Sequence, residues 1–500
     1  MKRLRDRFSK LCLAVLVGIV WVPFLPAQTP GPNGVWVYTL VDGSQLTDDC
    51  PVCDRVSLPV PMQGAFQLRF LGQGPLFANY AVENLTFTAG QIGGRTYKVS
   101  GHGAYRIGGE IGLQQDVLLE LMIDDGITNT LCELTNATPL VVRRWPMLQA
   151  EIDQTNGTLL QQYRLQINAA PFREIWFSTR TNFAASLWNA PTNAVSDGDL
   201  LSSSGRVVKH NSELTARLGI QPPIPDLGLK DIDILPDGEI AFSMERSVLS
   251  STLGQLLPQD LLSDRGRIVR HADPDLITNF QPTIPLPKYV GLDAVKVMDN
   301  GQVYFSIENE FGSGKLGTTV RPGDLLSNNG TIVKAGAQLL AAFNPAGPTN
   351  DYGLKAVYLW PSGEIWFSTR DGFHDTNGVL FPAGDLLSDQ GYIVYNNGEL
   401  LSAFALTGSP GDLGLDALYV ISDVPPPGFS TYLSFQRLTN LPPAGLTLQR
   451  SKGSRVFQLE AATNLSGPFL PIGSMTTDSL FIDSGPLTNL TQRFYRLQQW

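Results

Sequence analysis

Apolar and polar residues alternate in short runs along much of this 500-residue chain. Phe66-Gln67-Leu68-Arg69-Phe70, Leu85-Thr86-Phe87 and Tyr97-Lys98-Val99 each put their apolar members on one face of an extended strand, because successive strand side chains point to opposite sides. Turn-forming clusters separate them: Asp42-Gly43, Gly93-Gly94 and Asp124-Asp125-Gly126. Residues 118–123 and 163–167 add apolar runs of strand length, and no segment of this region carries a 3.6-residue period. Residues 28–171 therefore predict an antiparallel N-terminal β-sandwich or barrel-like domain.

A phrase then recurs four times. It reads Glu174-Ile175-Trp176-Phe177-Ser178, Glu239-Ile240-Ala241-Phe242-Ser243, Gln302-Val303-Tyr304-Phe305-Ser306 and Glu364-Ile365-Trp366-Phe367-Ser368, its Phe stepping by 65, 63 and 62 residues. Three further pieces travel with it. Asp-Leu-Leu-Ser stands at 199–202, 260–263, 324–327 and 385–388, each followed by a Gly turn. A β-branched strand follows at Val207-Val208, Ile268-Val269, Ile332-Val333 and Ile393-Val394. Gly-Leu then opens an apolar strand at 228, 291, 353 and 414. Four short strands per repeat of this length predict a β-propeller over residues 172–422. The strand after Gly414 would complete the first sheet and close a four-bladed ring, which removes exposed sheet edges. Longer inserts follow the phrase at 182–196 and 371–383, and such loops often form a binding face.

Residues 423–428 contain Val424-Pro425-Pro426-Pro427-Gly428, a stiff linker. Beyond it, residues 429–500 predict a small immunoglobulin- or fibronectin-like sandwich. Its strands are read at Leu446-Thr447-Leu448, Val456-Phe457-Gln458-Leu459-Glu460 and Phe494-Tyr495-Arg496-Leu497.

The N-terminus changes the expected location. Lys2, Arg3, Arg5, Arg7 and Lys10 precede an apolar stretch at 11–25, and Ala27 offers a cleavage point. This is the layout of a secretory signal peptide over residues 1–27, too short to span a bilayer comfortably. Cys12 lies inside the stretch, away from its end, which disfavours a lipoprotein anchor. Cleavage would remove those five basic residues and the acidic Asp6, moving the net charge from −10 to −14. Such a surface repels nucleic acid and anionic lipid. No other run has the length and apolarity of a transmembrane helix.

Three cysteines would remain: Cys50, Cys53 and Cys132. Cys50-Pro51-Val52-Cys53 has the spacing of half a zinc site or of a redox pair, but a second ligand pair and a βαβ setting are both missing. A local staple, or a disulfide to Cys132, in an oxidising compartment is expected.

The Glu-Ile-Trp-Phe-Ser phrases, the Gly-Asp-Leu-Leu-Ser phrases at 198–202, 323–327 and 384–388, and the Phe-Tyr-Arg-Leu ending at 494–497 resemble a group of uncharacterised secreted bacterial proteins. The second repeat departs, with Gln259 in place of Gly. The resemblance covers most of the chain and implies location and architecture; it carries no activity.

Asp199, Asp260, Asp324 and Asp385 are the most regular polar feature, and a ring of them would offer a cation or polar-ligand site, calcium being the metal for such hard oxygen ligands. An Asp just before a strand is more simply a turn residue bonding its own backbone. Trp176 and Trp366, with Tyr304, would stack on sugar rings if exposed, or pack between sheets if buried. Glu239 and Glu364, at equivalent positions of different repeats, could be imagined as a glycosidase acid/base pair, which needs carboxyls roughly 5–10 Å apart, but nothing marks the pair. His102, His210, His271 and His374 share no ligand spacing, and neither a nucleophile elbow nor a phosphate loop is present. The sequence points to a secreted or cell-envelope protein, without a catalytic constellation, that binds an extracellular glycan or protein. The alternatives are a glycan hydrolase or lyase with residues on the long inserts, and a structural surface or adhesion component.

Overall fold

The computed structural model describes residues 34–500, apart from 54–56, 92, 111, 186–193, 284–289, 348–349, 407–410, 425–434, 442–444, 451–454, 466, 479 and 484–492. The expected signal segment and linker residues 425–428 lie outside the described residues. The chain is all-β, with only short helices between strands. Among the described residues no helix is long and apolar enough to cross a membrane.

The first unit holds β1 Val35–Leu40, β2 Gln45–Asp49, β3 Val60–Gln73, β4 Phe77–Gly90, β5 Thr96–Gly108, β6 Gln114–Asp124, β7 Asn129–Asn136, β8 Leu148–Gln154 and β9 Gln162–Ala170. All pair antiparallel in one sheet, and β1 and β2 both lie between β3 and β9. Because β3 also pairs with β4, the sheet returns on itself as a ring of eight strand positions. Its interior carries the alternating apolar residues, including Phe66, Leu68, Tyr80, Phe87, Tyr105, Leu119 and Leu121. Trp145 stacks on Tyr105 with centroids 6.2 Å apart and planes 9° apart. The void left inside is only about 20 Å³, so this interior is core rather than a ligand chamber. Closure requires sharp local bending. Gly101 and Gly103 permit it, since a Cβ on either would lie 2.1 Å from a β6 carbonyl oxygen.

Cys50 and Cys53 form a disulfide, and Cys132 is a buried free thiol inside the ring. The local staple is thus the pairing adopted; Cys132 takes no part in it. Burial pushes the Cys132 thiol up to about 11.

The repeats form four four-stranded antiparallel sheets of identical order. The phrase is the second strand of each: Phe172–Phe177, Ile240–Met244, Val303–Ile307 and Ile365–Thr369. The Gly-Leu strands are innermost: Leu229–Ile234, Leu292–Val297 and Leu354–Leu359 in sheets 2 to 4. In sheet 1 that place is taken by Leu418–Ser422, from the far end of the repeat region, which pairs Ile175 with Val420 and Phe177 with Leu418. Each innermost strand packs against those of the two neighbouring sheets, and sheet 1 touches both sheet 2 and sheet 4.

The phrase serine ties sheets together. Ser178, Ser306 and Ser368 Oγ donate to the carbonyls of Leu229, Leu354 and Leu415, at the start of or just before the following inner strand, at 2.7, 2.6 and 2.6 Å. In two repeats the phrase Phe is buried against a Phe from the preceding connection, Phe305 with Phe280 (6.4 Å, edge-on) and Phe177 with Phe404 (6.2 Å). Long inserts prove not to be peculiar to two repeats. Every repeat carries a two-stranded ribbon there, at Phe183–Ala184/Ala194–Val195, Val248–Ser250/Gly254–Leu256, Phe311–Ser313/Thr318–Val320 and Phe373–His374/Leu380–Phe381. One bridge from each ribbon reaches the preceding repeat, as Ile220 to Ser250 and Pro345 to Asp375 do.

The last unit contains two three-stranded antiparallel sheets, Phe435–Leu441, Gly445–Arg450, Leu480–Asp483 and Leu470–Thr476, Phe457–Ala462, Phe494–Gln499. It docks on the repeats. Trp500 Nε1 donates to Asp423 Oδ1 at 2.8 Å, Arg206 to the Met475 carbonyl at 3.0 Å, and Lys209 pairs with Asp478 at 2.8 Å.

Candidate functional site

The residues made conspicuous by repetition are held by their own sheets. Asp199 accepts the amides of Ser196 (3.2 Å) and Asn211 (2.9 Å); Asp324 those of Arg321 (3.1 Å) and Gly336 (3.0 Å); Asp385 that of Asn397 (3.0 Å). Asp260 takes the Leu257 amide at 2.9 Å and faces His271 Nδ1 at 3.0 Å. Each closes a turn within its own repeat. Among the described residues no group of three or more His, Cys, Asp or Glu side chains is gathered to hold a metal. Trp176 and Trp366 are fully buried, with their indole nitrogens donating to Glu174 (3.2 Å) and Glu364 (2.9 Å), so neither presents a face to a sugar. Tyr304, in contrast, is half-buried. Glu239 is bound by both arms of Arg267 (2.7 Å each) and by Ser263; Glu364 by Trp366, Ser388 (2.6 Å) and Tyr392. Neither is a free acid or base.

The inner strands carry polar residues that a reading of them as simply apolar overlooks. Aligned on their Gly-Leu starts, the next residue is Lys230, Asp293, Lys355 and Asp416, charges alternating around the four sheets. All four are buried, and Asp293 Oδ1 pairs with Lys230 at 3.3 Å and Lys355 at 3.0 Å. Desolvation pushes the Asp293 carboxyl up, but the two ammoniums outweigh it and hold it below the ordinary carboxylate range. Lys230 also reaches Glu308 (3.0 Å), and Arg180 reaches Asp416 (3.4 Å). Burial pushes Asp416 up despite Lys355 and Arg180. Asp231 lies one residue further in. Its carboxyl accepts the amides of Ile232 (2.7 Å), Leu418 (3.1 Å) and Val295, joining three inner strands, and burial lifts it far above the usual range.

Three residues beyond the first charges stand Asp233, Lys296, Tyr358 and Tyr419. Lys296 pairs with Asp233 at 2.8 Å and lies 5.7 and 5.3 Å from the ring centres of Tyr358 and Tyr419. Lys296, Tyr358 and Tyr419 line a cavity of about 380 Å³. Tyr304 and Trp360 line its sides, and Arg455 and Trp500 of the last unit cover it. Trp360 is 2% exposed, and its indole N–H has no partner among the described residues. Arg455 donates to the Ile234 carbonyl and pairs with Asp299, the carboxylate at the cavity's edge. The arrangement offers several aromatic faces, two cations and an unused donor in one enclosure. Aligning the four inner strands would have signalled it, because Tyr358 and Tyr419 break the charge pattern on adjacent sheets.

The departure at Gln259 also finds its reason. In the other repeats Gly198, Gly323 and Gly384 make room for Asp226, Asp351 and Asp412, each of which accepts the amide two residues on. The second repeat has Tyr at the corresponding position 289, and Gln259 Oε1 instead accepts the Val290 amide at 3.1 Å.

No protein-family model matches this chain, and no curated protein is similar to it in sequence.

Proposed function

We propose that the four sheets are the blades of a four-bladed β-propeller, that the chain is secreted or held at the cell envelope, and that it binds carbohydrate without chemically altering it. The first part rests on the sharing of sheet 1 between the two ends of the repeat region. The observation that carries the binding reading is the cavity between the inner strands and the last unit. Its volume of about 380 Å³ lies within the range of small-molecule sites, about 300–1,000 Å³. Tyr358, Tyr419, Tyr304 and Trp500 supply apolar faces for the C–H side of a sugar ring. Lys296, Arg455 and the Trp360 N–H supply donors for its oxygens.

A hydrolase or lyase reading gains little here. Glycoside hydrolysis ordinarily uses two carboxyls roughly 5–10 Å apart, whereas the carboxylate lining this cavity is Asp299, engaged by Arg455. The test is a glycan array probed with the mature chain, beside the variants Tyr304→Ala and Trp500→Ala. Binding by wild type and its loss in both variants, with unchanged far-ultraviolet circular dichroism, is expected. No bound glycan, or binding indifferent to both variants, would turn the reading toward a protein ligand or a structural surface role.

A further inference from the structure

Three of the four junctions between successive sheets are plugged by a side-chain carboxamide, two by Asn and one by Gln, and the fourth is not. At the junction of sheets 1 and 2, Asn211 Oδ1 accepts the Leu227 amide (3.3 Å) and its Nδ2 donates to the Pro225 carbonyl (2.9 Å). At the junction of sheets 4 and 1, Asn397 does the same, accepting from Leu413 (3.1 Å) and donating to Gly384 (3.2 Å). At the junction of sheets 2 and 3 the position is Ala272, and Gln259 takes the Val290 amide from the other side. At the junction of sheets 3 and 4 both positions are glycine, Gly336 and Gly323. No side chain plugs it.

The opposite wall is also reduced there. Met244 and Ile307 fill the equivalent space at the first two junctions, each about 1% exposed. Sheet 4 carries Thr369 instead. A cavity of about 310 Å³ results, lined by Gly323, Gly336, Asp351, Tyr352 and Thr369, with Arg321 among its walls.

Two residues lining this cavity each carry a buried polar atom that has no hydrogen-bond partner among the described residues. Thr369 is 2% exposed, and its Oγ1 makes no hydrogen bond. The equivalent Thr179 Oγ1, in sheet 1, donates to the Thr181 carbonyl at 3.0 Å. Asp351 Oδ1 accepts the Gly353 amide at 2.9 Å, but its Oδ2 is buried and unpaired. The cause is legible in the sequence. Asp412 Oδ2 accepts the Ala383 amide at 2.8 Å, and Asp226 Oδ2 takes the Ser196 hydroxyl. Pro322 stands where Ala383 does and has no amide hydrogen to give. A buried polar atom without a partner is destabilising, so a ligand that satisfies it gains what the fold leaves unused.

We propose that this junction is a second ligand site, separate from the aromatic cavity, that takes an N-acetylated amino sugar. The acetamido group occupies the place of the Asn carboxamide in the two junctions plugged by Asn, its carbonyl oxygen standing where Asn211 and Asn397 Oδ1 stand. Ring hydroxyls then donate to Asp351 Oδ2 and exchange a hydrogen bond with Thr369 Oγ1. The cavity is larger than a carboxamide alone requires, and its two unmet groups lie on the same repeat as Tyr352, which presents a ring to the sugar.

The other repeats supply the test variants. Gly336→Asn restores the plug of sheets 1 and 4, and Thr369→Met restores the filling residue of sheet 2. Calorimetric titration of the mature chain with N-acetylglucosamine, N-acetylgalactosamine, glucose and L-asparagine is the experiment. Wild type binds at least one acetamido sugar at least about tenfold more tightly than glucose, and each variant weakens that binding at least about tenfold. The same sugar raises the Tm of wild type and leaves that of the variants unchanged. Thr369→Met serves even where Gly336→Asn shifts the Gly323 backbone, which a Cβ at 336 would approach to 2.9 Å. Binding that survives both variants, equal binding of glucose, binding of L-asparagine alone, or no acetamido sugar bound would each overturn the proposal. Tyr304→Ala leaves this binding intact, which separates its failure from that of the aromatic cavity.

Discussion

Replacing Asp293 by alanine tests the alternating charges at the inner strands. Asp293 is 1% exposed and shares one carboxylate oxygen between Lys230 and Lys355, at 3.3 and 3.0 Å. The lysine side chains are 2% and 8% exposed, so neither can reach bulk water when the carboxylate is removed. Breaking a buried pair by deleting one partner costs about 3–5 kcal/mol. Lys230 keeps Glu308 at 3.0 Å, which favours the lower part of that range. A domain of this size loses roughly 2–4 °C of Tm per kcal/mol, so a fall of about 6–12 °C is expected for a cost of about 3 kcal/mol. Urea unfolding followed by tryptophan emission, with calorimetry for Tm, measures it. The triple variant Lys230→Met, Asp293→Leu, Lys355→Met removes all three charges together and is expected near wild-type stability, since apolar replacement of a buried ion pair is often neutral or favourable. A loss below about 1 kcal/mol for Asp293→Ala would mean that these charges behave as exposed pairs do, not as a buried cluster.

Ser306→Ala breaks the bond to the Leu354 carbonyl and should cost about 1–3 kcal/mol, whereas Ser243→Ala should cost nearly nothing, because Ser243 Oγ has no partner; parallel urea titrations compare them. Burial raises the Asp385 carboxyl from 3.8 to about 6, so the folded state binds its proton more tightly than the unfolded chain. That contribution is complete below about pH 3.8 and is lost as pH rises through about 6, so Asp385→Asn should flatten the dependence of Tm on pH across that window. Asp293 acts in the opposite sense. Its lowered carboxyl stabilises above the unfolded value and loses that contribution as pH falls, so Asp293→Asn should blunt acid destabilisation at the low end of a pH series. Arg455→Ala removes a donor to Ile234 and the partner of Asp299, and should speed amide hydrogen exchange across Phe457–Ala462 as the last unit loosens.

Much of the repeat architecture was legible because four copies of one phrase expose their own period. The shared first sheet could be inferred from a count, since the first phrase lacks a preceding Gly-Leu strand and the last Gly-Leu strand lacks a following phrase. Ring closure of β1–β9 was less accessible. It depends on β1 and β2 dividing one position between β3 and β9, a pairing across more than 110 residues that no local pattern encodes. Repetition also misdirected attention in the candidate sites. Asp199 and its equivalents recur because every turn needs the same backbone acceptor, and Trp176 and Trp366 recur as buried packing. The inner-strand residues differ from repeat to repeat, Lys230 against Asp293 and Lys296 against Tyr358, because each complements its neighbour rather than copying it. Glycine at 336 was invisible as a feature until Asn211 and Asn397 gave its place a meaning.

The most direct measurement of the central claim is a crystal structure of the mature chain with the tightest glycan from the array. A sugar ring stacked on Tyr358, Tyr419 or Trp500 is expected, with its oxygens near Lys296, Arg455 or the Trp360 N–H. A glycan bound elsewhere, with the aromatic cavity empty and Trp500 still bonded to Asp423, would contradict it.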